Sequence, residues 1–292
     1  MKDRGLLDLA DMRLEYRMTG PRPGTAPTIV LLHEGLGAAS SWGSFAGALA
    51  EQTGAGVFAY SRAGYGQSSP SKLPRSVSFM QDEACDVLPR LLDAIDFQRG
   101  LLVGHSDGAS IATIYAGTVQ DHRVRGLVLI APHFFTEDMG IAEISRTKKL
   151  FDSGDLRANL ARVHADPDNA FHNWCDPWLD PQFRRLDLGD ALAHIRVPIL
   201  IVQGENDQYG TIRQIEFAQE ECYCPVEVAL WPATRHAPHL EAPEATLLAV
   251  REFYNRLFHD HDEGAAISLA AERESPASQG FVRQTWRKQS AD

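Results

Sequence analysis

Gly104-His105-Ser106-Asp107-Gly108 is the stretch that decides the fold. It has the form G-x-S-x-G. The apolar run Gly100-Leu-Leu-Val-Gly104 leads into it, and a helical run from Ala109 to Val119 leads out. In that strand-turn-helix setting the serine takes a strained backbone conformation, and small residues on either side let the chain bend tightly enough to lift the hydroxyl above the strand ends. Out of context the same five residues would read as a Gly-rich turn with an N-capping serine. The strand before and the helix after favour a nucleophile at Ser106. Asp107 opens the helix, so its backbone N–H faces an anion with the helix dipole behind it.

Working outward, short apolar runs alternate with longer amphipathic ones, which predicts a mostly parallel sheet with helices on both faces. Thr28-Ile-Val-Leu-Leu-His33, Ala55-Gly-Val-Phe-Ala-Tyr60, Gly126-Leu-Val-Leu-Ile-Ala131 and Val197-Pro-Ile-Leu-Ile-Val-Gln203 join the Gly100 run as five central strands, each apolar throughout as a doubly covered strand should be. A further strand is expected from Met12 and another over Val226 to Trp231. Met80, Ala84, Val87, Leu88, Leu91 and Ile95 recur at helical spacing and predict one helix. Leu247, Val250, Phe253, Tyr254, Leu257 and Phe258 predict a closing helix with Pro243 in its first turn.

From Pro132 to Arg196 the strand rhythm stops and the chain becomes polar, helical and rich in aromatic residues, which reads as an inserted lid. The expected organisation is a core of 1–131 and 197–258, a helical insertion over 132–196 after the sixth strand, and a polar, loosely held tail over 259–292.

Composition narrows the class. Of the 292 residues, 44% are hydrophobic and 23% charged, so a large core is expected; the net charge of −11 argues against a polyanionic partner such as nucleic acid or an anionic membrane. A neutral small molecule fits better. No stretch reaches the roughly 18 apolar residues of a membrane span, and Lys2, Asp3, Arg4 and Asp8 interrupt the start of the chain, so a cytoplasmic location is expected. Cys85, Cys175, Cys222 and Cys224 lack zinc-ligand spacing, and His259-Asp-His-Asp262 reads as a solvated helix end; no metal or cofactor is expected. Oligomeric state is left open between monomer and homodimer.

A serine hydroxyl needs a base to take its proton and an acid to hold that base. Downstream, Gly204-Glu205-Asn206-Asp207 follows one strand and offers Asp207, with Glu205 as competitor; His236 follows the next strand, with His239 nearby. The chain resembles the α/β-hydrolase superfamily over about Met12 to Phe258, in the branch with a helical lid. The matching pieces are His33-Glu34-Gly35-Leu36-Gly37, Ser61-Arg62-Ala63-Gly64-Tyr65-Gly66-Gln67-Ser68, the Ser106 turn, the Asp207 turn and His236-Ala-Pro-His-Leu-Glu-Ala-Pro243. The resemblance implies a Ser106–Asp207–His236 triad in the family's chain order and an oxyanion hole from the backbone N–H groups of Gly35 and Asp107.

Two positions depart from the family pattern: Glu34 stands where relatives have Gly, and Ser61 where they have Asp. Glu34 reads as a solvated loop carboxylate, a substrate contact or a proton-relay group. The lid aromatics are packing first, and Phe134, Trp174 and Trp178 are expected to face the cleft as well. The activity implied is carboxylester hydrolysis. Lactone, thioester or carbon-carbon bond hydrolysis would use the same three residues, and a receptor with little turnover is the rival of another class.

Overall fold

The structure is a computed structural model that describes residues 2–259 and 284–286. Its centre is a nine-stranded sheet. In chain order the elements before the nucleophile turn are β1 (Arg4–Leu9), β2 (Met12–Thr19), β3 (Thr28–Leu32), α1 (Phe45–Thr53), β4 (Gly56–Tyr60), α2 (Phe79–Asp82), α3 (Leu88–Ala94) and β5 (Gly100–His105). After it come α4 (Asp107–Thr118) and β6 (Val124–Ile130), then the helices α5 (Asp138–Asp152), α6 (Asp155–Leu160), α7 (Pro167–Leu179) and α8 (Gly189–His194). The chain returns to the sheet with β7 (Ile199–Gly204), α9 (Arg213–Glu221), β8 (Val226–Trp231), α10 (Pro238–Glu241), α11 (Pro243–Phe258) and β9 (Gln284–Trp286).

The strands lie in the order β1-β2-β4-β3-β5-β6-β7-β8-β9. The run from β4 to β8 is parallel, while β1, β2 and β9 pair antiparallel at the two edges. Because successive side chains alternate faces, Ile29 and Leu31 of β3 enter one apolar cluster with Val57, Val103, Val128 and Val202, closed by α1 and α11 through Phe45, Leu49, Val250 and Phe253. Val30 and Leu32 enter the other, with Phe58, Leu102 and Leu129, closed by α3 and α4 through Leu88, Leu91, Ile111 and Tyr115. These strand residues are essentially excluded from water, and each such side chain stabilises by about 1.5–3 kcal/mol. That double coverage is why the five central strands carry unbroken apolar runs.

Strand order reverses beside β3: the chain goes from β3 outward to β4, then back across to β5 on the other side. The carboxyl ends of strands at such a reversal leave a crevice that no helix fills, where open α/β sheets bind ligands. His33 follows β3, and Ser106 follows β5.

Sequence and structure differ in three places. β1 was not expected, because its outer face is exposed and its alternation is weak. The single helix expected over Met80 to Ile95 is split by a π-helical turn, Glu83–Val87. The split falls at Glu83, whose buried carboxylate accepts from the Tyr60 hydroxyl at 3.2 Å and lies 3.9 Å from Arg75. The expected tail contains β9, paired with β8; 260–283 and 287–292, with most of the His259-Asp-His-Asp262 run, lie outside the described residues. None of the four cysteines is joined in a disulfide among the described residues.

Candidate active site

Ser106 joins β5 to α4 at φ 53° and ψ −117°, a region that L residues occupy only under constraint. The constraint is visible in its neighbours. A Cβ on Gly104 would lie 2.2 Å from the Gly108 carbonyl oxygen, and one on Gly108 would lie 2.0 Å from that of Leu32. Only glycine lets strand, turn and helix approach so closely. The Ser106 amide donates to the Ile130 carbonyl at 2.9 Å, and its carbonyl accepts from Ala109 and Ser110.

His236, in the loop between β8 and α10, turns Nδ1 toward Asp207 and lies 2.8 Å from both carboxylate oxygens. Asp207 is almost fully buried, and it also accepts from the Tyr209 amide at 2.8 Å and the Gln203 side-chain amide at 2.7 Å. Burial pushes its pKa up, but contact with His236 and the Tyr209 amide outweigh this and hold it below the usual carboxylate value. A charged Asp207 keeps the proton of neutral His236 on Nδ1 and leaves Nε2 free to accept one. Glu205, the competing carboxylate, is exposed, with its amide bonded to the Trp231 carbonyl, and the hydrogen bonds of the His236 ring go to Asp207. The strand end therefore brings Asp207, and not Glu205, against the imidazole.

Ser106 and His236 line one cavity of about 100 Å³ with Glu34, Gly35 and Leu36 from the turn after β3, and with His133 and Tyr209. Its remaining wall is Glu137, Gly140, Ile144, Trp174 and Trp178, contributed by the helical segment between β6 and β7. The lining holds two glutamates and no lysine or arginine. Of the three aromatics expected to face the cleft, Trp174 and Trp178 do. Phe134 does not: it is wholly buried, its amide held by Gln214 at 2.7 Å, because it immediately follows the sheet and is drawn into the core. His133 takes the cavity position instead.

The turn carrying Gly35 is fixed by a buried cation that the sequence reading quoted but gave no role. Arg62 donates from Nη1 to the His33 carbonyl at 2.5 Å and from Nη2 to the Glu34 carbonyl at 3.0 Å, and lies 3.9 Å from the Asp107 carboxylate. Trp178 donates to that carboxylate at 3.0 Å. Burial raises the pKa of Asp107, with Arg62 opposing. Among the described residues, neither the Gly35 nor the Asp107 backbone N–H has an acceptor, which leaves both available to a developing oxyanion. Trp174 lies directly on Gly35, where a Cβ would meet its ring at 2.1 Å.

His133 and His239 are pushed down to about 3 by burial, with the neighbouring histidines adding to it, so both rings are neutral near pH 7. Their signal in the sequence was position alone: His133 stands three residues past β6, and His239 three past His236 in α10. Among the described residues no group of histidine, cysteine, aspartate or glutamate side chains could hold a metal ion, and no helix is long and apolar enough to cross a membrane.

Comparison with known proteins places this geometry. A hydrolase from Pseudomonas putida described as acting on 2-hydroxy-6-oxononadienedioate and 2-hydroxy-6-oxononatrienedioate is 29% identical over 228 residues, 68% of this chain and 77% of the relative. The mouse serine hydrolase BPHL is 28% identical over 215 residues, 70% of this chain and 68% of its own. The crystal structure of the enol-lactonase from Burkholderia xenovorans LB400 superposes with a TM-score of 0.67 at 20% identity, covering 85% of this chain and 99% of that one. The model of the alpha/beta hydrolase family matches residues 29–250, most of the chain and every strand from β3 to β8, and the chain belongs to that family.

Proposed function

We propose that the protein hydrolyses a small, uncharged, partly apolar carboxylic ester through an acyl-enzyme. The observation that carries this reading is the His236–Asp207 contact at 2.8 Å opening onto the same cavity as the strained Ser106. Ser106 Oγ attacks the carbonyl carbon as His236 Nε2 takes its proton. The Asp207 carboxylate holds the imidazole tautomer and stabilises the imidazolium, and the oxyanion is received by the N–H groups of Gly35 and Asp107. His236 returns the proton to the leaving alkoxide. Water activated by the same nitrogen then releases the acid. The helices α5 to α8 serve as the cap of this site, with Trp174 and Trp178 as the apolar wall for the acyl or alcohol group.

The named substrates of the Pseudomonas relative are dioates, and a carboxylate-bearing chain would find Glu34 and Glu137 here with no lysine or arginine in the lining. That contrast favours an uncharged ester or lactone over a carbon-carbon bond hydrolase acting on a dianion. Four cysteines outside any disulfide among the described residues fit the reducing cytoplasm.

Incubation with short p-nitrophenyl esters and with a fluorophosphonate, followed by intact mass, tests the reading. Multiple-turnover release of nitrophenol and one phosphonate adduct on Ser106 are expected. Stoichiometric labelling without turnover across esters, lactones and thioesters would replace the enzyme with a ligand-binding receptor.

A further inference from the structure

His105 and Glu34 stand beside the proposed machinery, and the hydrolysis steps use neither side chain. His105 is the last residue of β5, with a side chain only 4% exposed. Its Nε2 lies 2.8 Å from the carbonyl oxygen of His236. A carbonyl oxygen only accepts, so Nε2 carries a hydrogen. The other nitrogen, Nδ1, is buried without a hydrogen-bond partner and has Glu34 Oε2 at 3.6 Å. A neutral ring protonated at Nε2 would aim the buried Nδ1 lone pair at a carboxylate that is 29% exposed at the cavity edge, an arrangement that is repulsive.

We propose that Glu34 and His105 hold one proton between them and form a positioning pair that ties the backbone of the His236 loop to the nucleophile turn. The proton resides on the imidazole, which makes Nδ1–H face the carboxylate and turns the Nε2–H bond to the His236 carbonyl into a charge-assisted one. Burial alone would raise the pKa of Glu34, but its contact with His105, helped by His33 and a backbone hydrogen bond, outweighs burial and holds the carboxyl well below the usual carboxylate range.

The backbone that carries Glu34 is fixed as well. The Glu34 carbonyl accepts from Arg62 Nη2 at 3.0 Å, from the Gly37 amide at 3.2 Å and from His33 Nδ1 at 2.7 Å. The carboxylate itself covers Gly37, where a Cβ would fall 2.2 Å from Oε2. The other ionisable groups nearby are His239 and His236, whose rings lie 4.7 and 5.1 Å from that of His105, the buried Asp107 paired with Arg62, and His164 from the inserted helices. A lone cation at His105 would oppose protonation of His236 during turnover. Glu34 cancels that charge while leaving the charge-assisted hydrogen bond in place, which gives a physical reason for a carboxylate at this position.

The test is ¹⁵N NMR of the full chain with histidine labelled at both ring nitrogens, the His105 signals being assigned by their loss in His105→Gln. Near neutral pH both nitrogens of wild-type His105 are expected in the protonated range, and Glu34→Gln is expected to return Nδ1 to the unprotonated range. A wild-type His105 with one unprotonated nitrogen, or both nitrogens still protonated in Glu34→Gln, overturns the pair. Should either variant fail to fold, the wild-type Nδ1 signal, the one still without a proton partner if the pair is wrong, decides.

A kinetic arm rests on the ester-hydrolysis reading. Glu34→Gln is expected to lower kcat about tenfold with KM unchanged. Combining it with His105→Gln should cost no more than His105→Gln alone, since both remove one interaction; additive losses would count against the pair. Absence of any esterase activity would strike at the proposed function and leave the NMR outcome standing.

Discussion

The floor of the cavity and its roof are built by different means. Ser106, the Gly35 turn, Asp207 and His236 all leave the ends of strands buried on both faces, and their backbones are continuous with the parallel ladder. The roof, from α5 to α8, is stitched down by side chains. Asn169 and Asn173 bond to Ser71 at 3.1 and 2.5 Å, Asn173 also to the Ala63 carbonyl at 3.3 Å, and Trp178 to Asp107 at 3.0 Å. His164 accepts from the Gly66 amide at 2.9 Å and donates to the Leu36 carbonyl at 3.0 Å. Such bonds contribute about 0.5–1.5 kcal/mol each, and they add to apolar packing, since Phe171, Trp174, Trp178 and Leu192 lie in the cluster that covers one face of the sheet. A floor built from strand ends suits groups that must meet a transition state within fractions of an ångström, while the roof contributes the side chains that wall the cavity.

If the floor carries the chemistry, substitutions there should collapse kcat and leave the fold intact. Ser106→Ala is expected to lower kcat by on the order of 10⁶, or to background, with an unchanged melting temperature. Asp207→Asn should cost on the order of 10⁴, because an asparagine in that place favours the wrong imidazole tautomer. Glu205→Gln, changed on an exposed side chain, should stay near wild type. Steady-state kinetics on one ester measures all three, and a Glu205 loss exceeding that of Asp207 would reverse the assignment of the acid.

The two regions touch where Trp174 covers Gly35, and that contact allows a direct trial of their coupling. The backbone at Gly35 would accept alanine, but the added Cβ would lie 2.1 Å from the indole, so either the turn or the roof must move. Gly35→Ala is expected to lower kcat/KM by about 10²–10³, the cost of displacing an oxyanion donor. Adding Trp174→Ala removes the obstacle and should recover at least tenfold of that loss while broadening acyl-chain preference. A double variant no better than Gly35→Ala would mean that the turn itself, and not its cover, fails to tolerate the side chain.

The same division explains what could be read from the chain. The floor was legible because each part is a local pattern: apolar runs of strand length, glycines flanking Ser106 where the backbone must turn, and polar turns just past Gln203 and Trp231. The roof was visible only as a place where strand rhythm stops. Its contacts join residues about a hundred positions apart, such as Ser71 with Asn169, and no spacing rule encodes them. Phe134 was misjudged for that reason, since a residue four places past a strand enters either the core or the cleft according to helices that have yet to be packed. Arg62 and His133 were hidden because a buried arginine and a neutral histidine look in sequence like surface residues.

The smallest effect expected is a pH dependence confined to the roof. Burial pushes the pKa of His164 down, with the Leu36 carbonyl and the Glu34 and Glu15 charges opposing, so the ring is neutral in the fold and Nδ1 is free to accept from Gly66. A folded value below the unfolded one means that this ring's contribution is complete above about pH 6.5 and is lost as pH falls through the folded value, when Nδ1 gains a proton and repels the amide. His164→Asn should therefore lower stability by about 1–2 kcal/mol near pH 7.5, read from urea midpoints. As pH falls from about 6.5 through the folded value, the wild-type and variant curves should converge, because protonation removes from the wild type what the substitution removed at the outset. The buried rings His133 and His239, which do not feel His164, shift both proteins alike and cancel in the difference. A gap that stays constant with pH would assign the hold of His164 on the core to packing, and the roof would then be tied by shape more than by its hydrogen bonds.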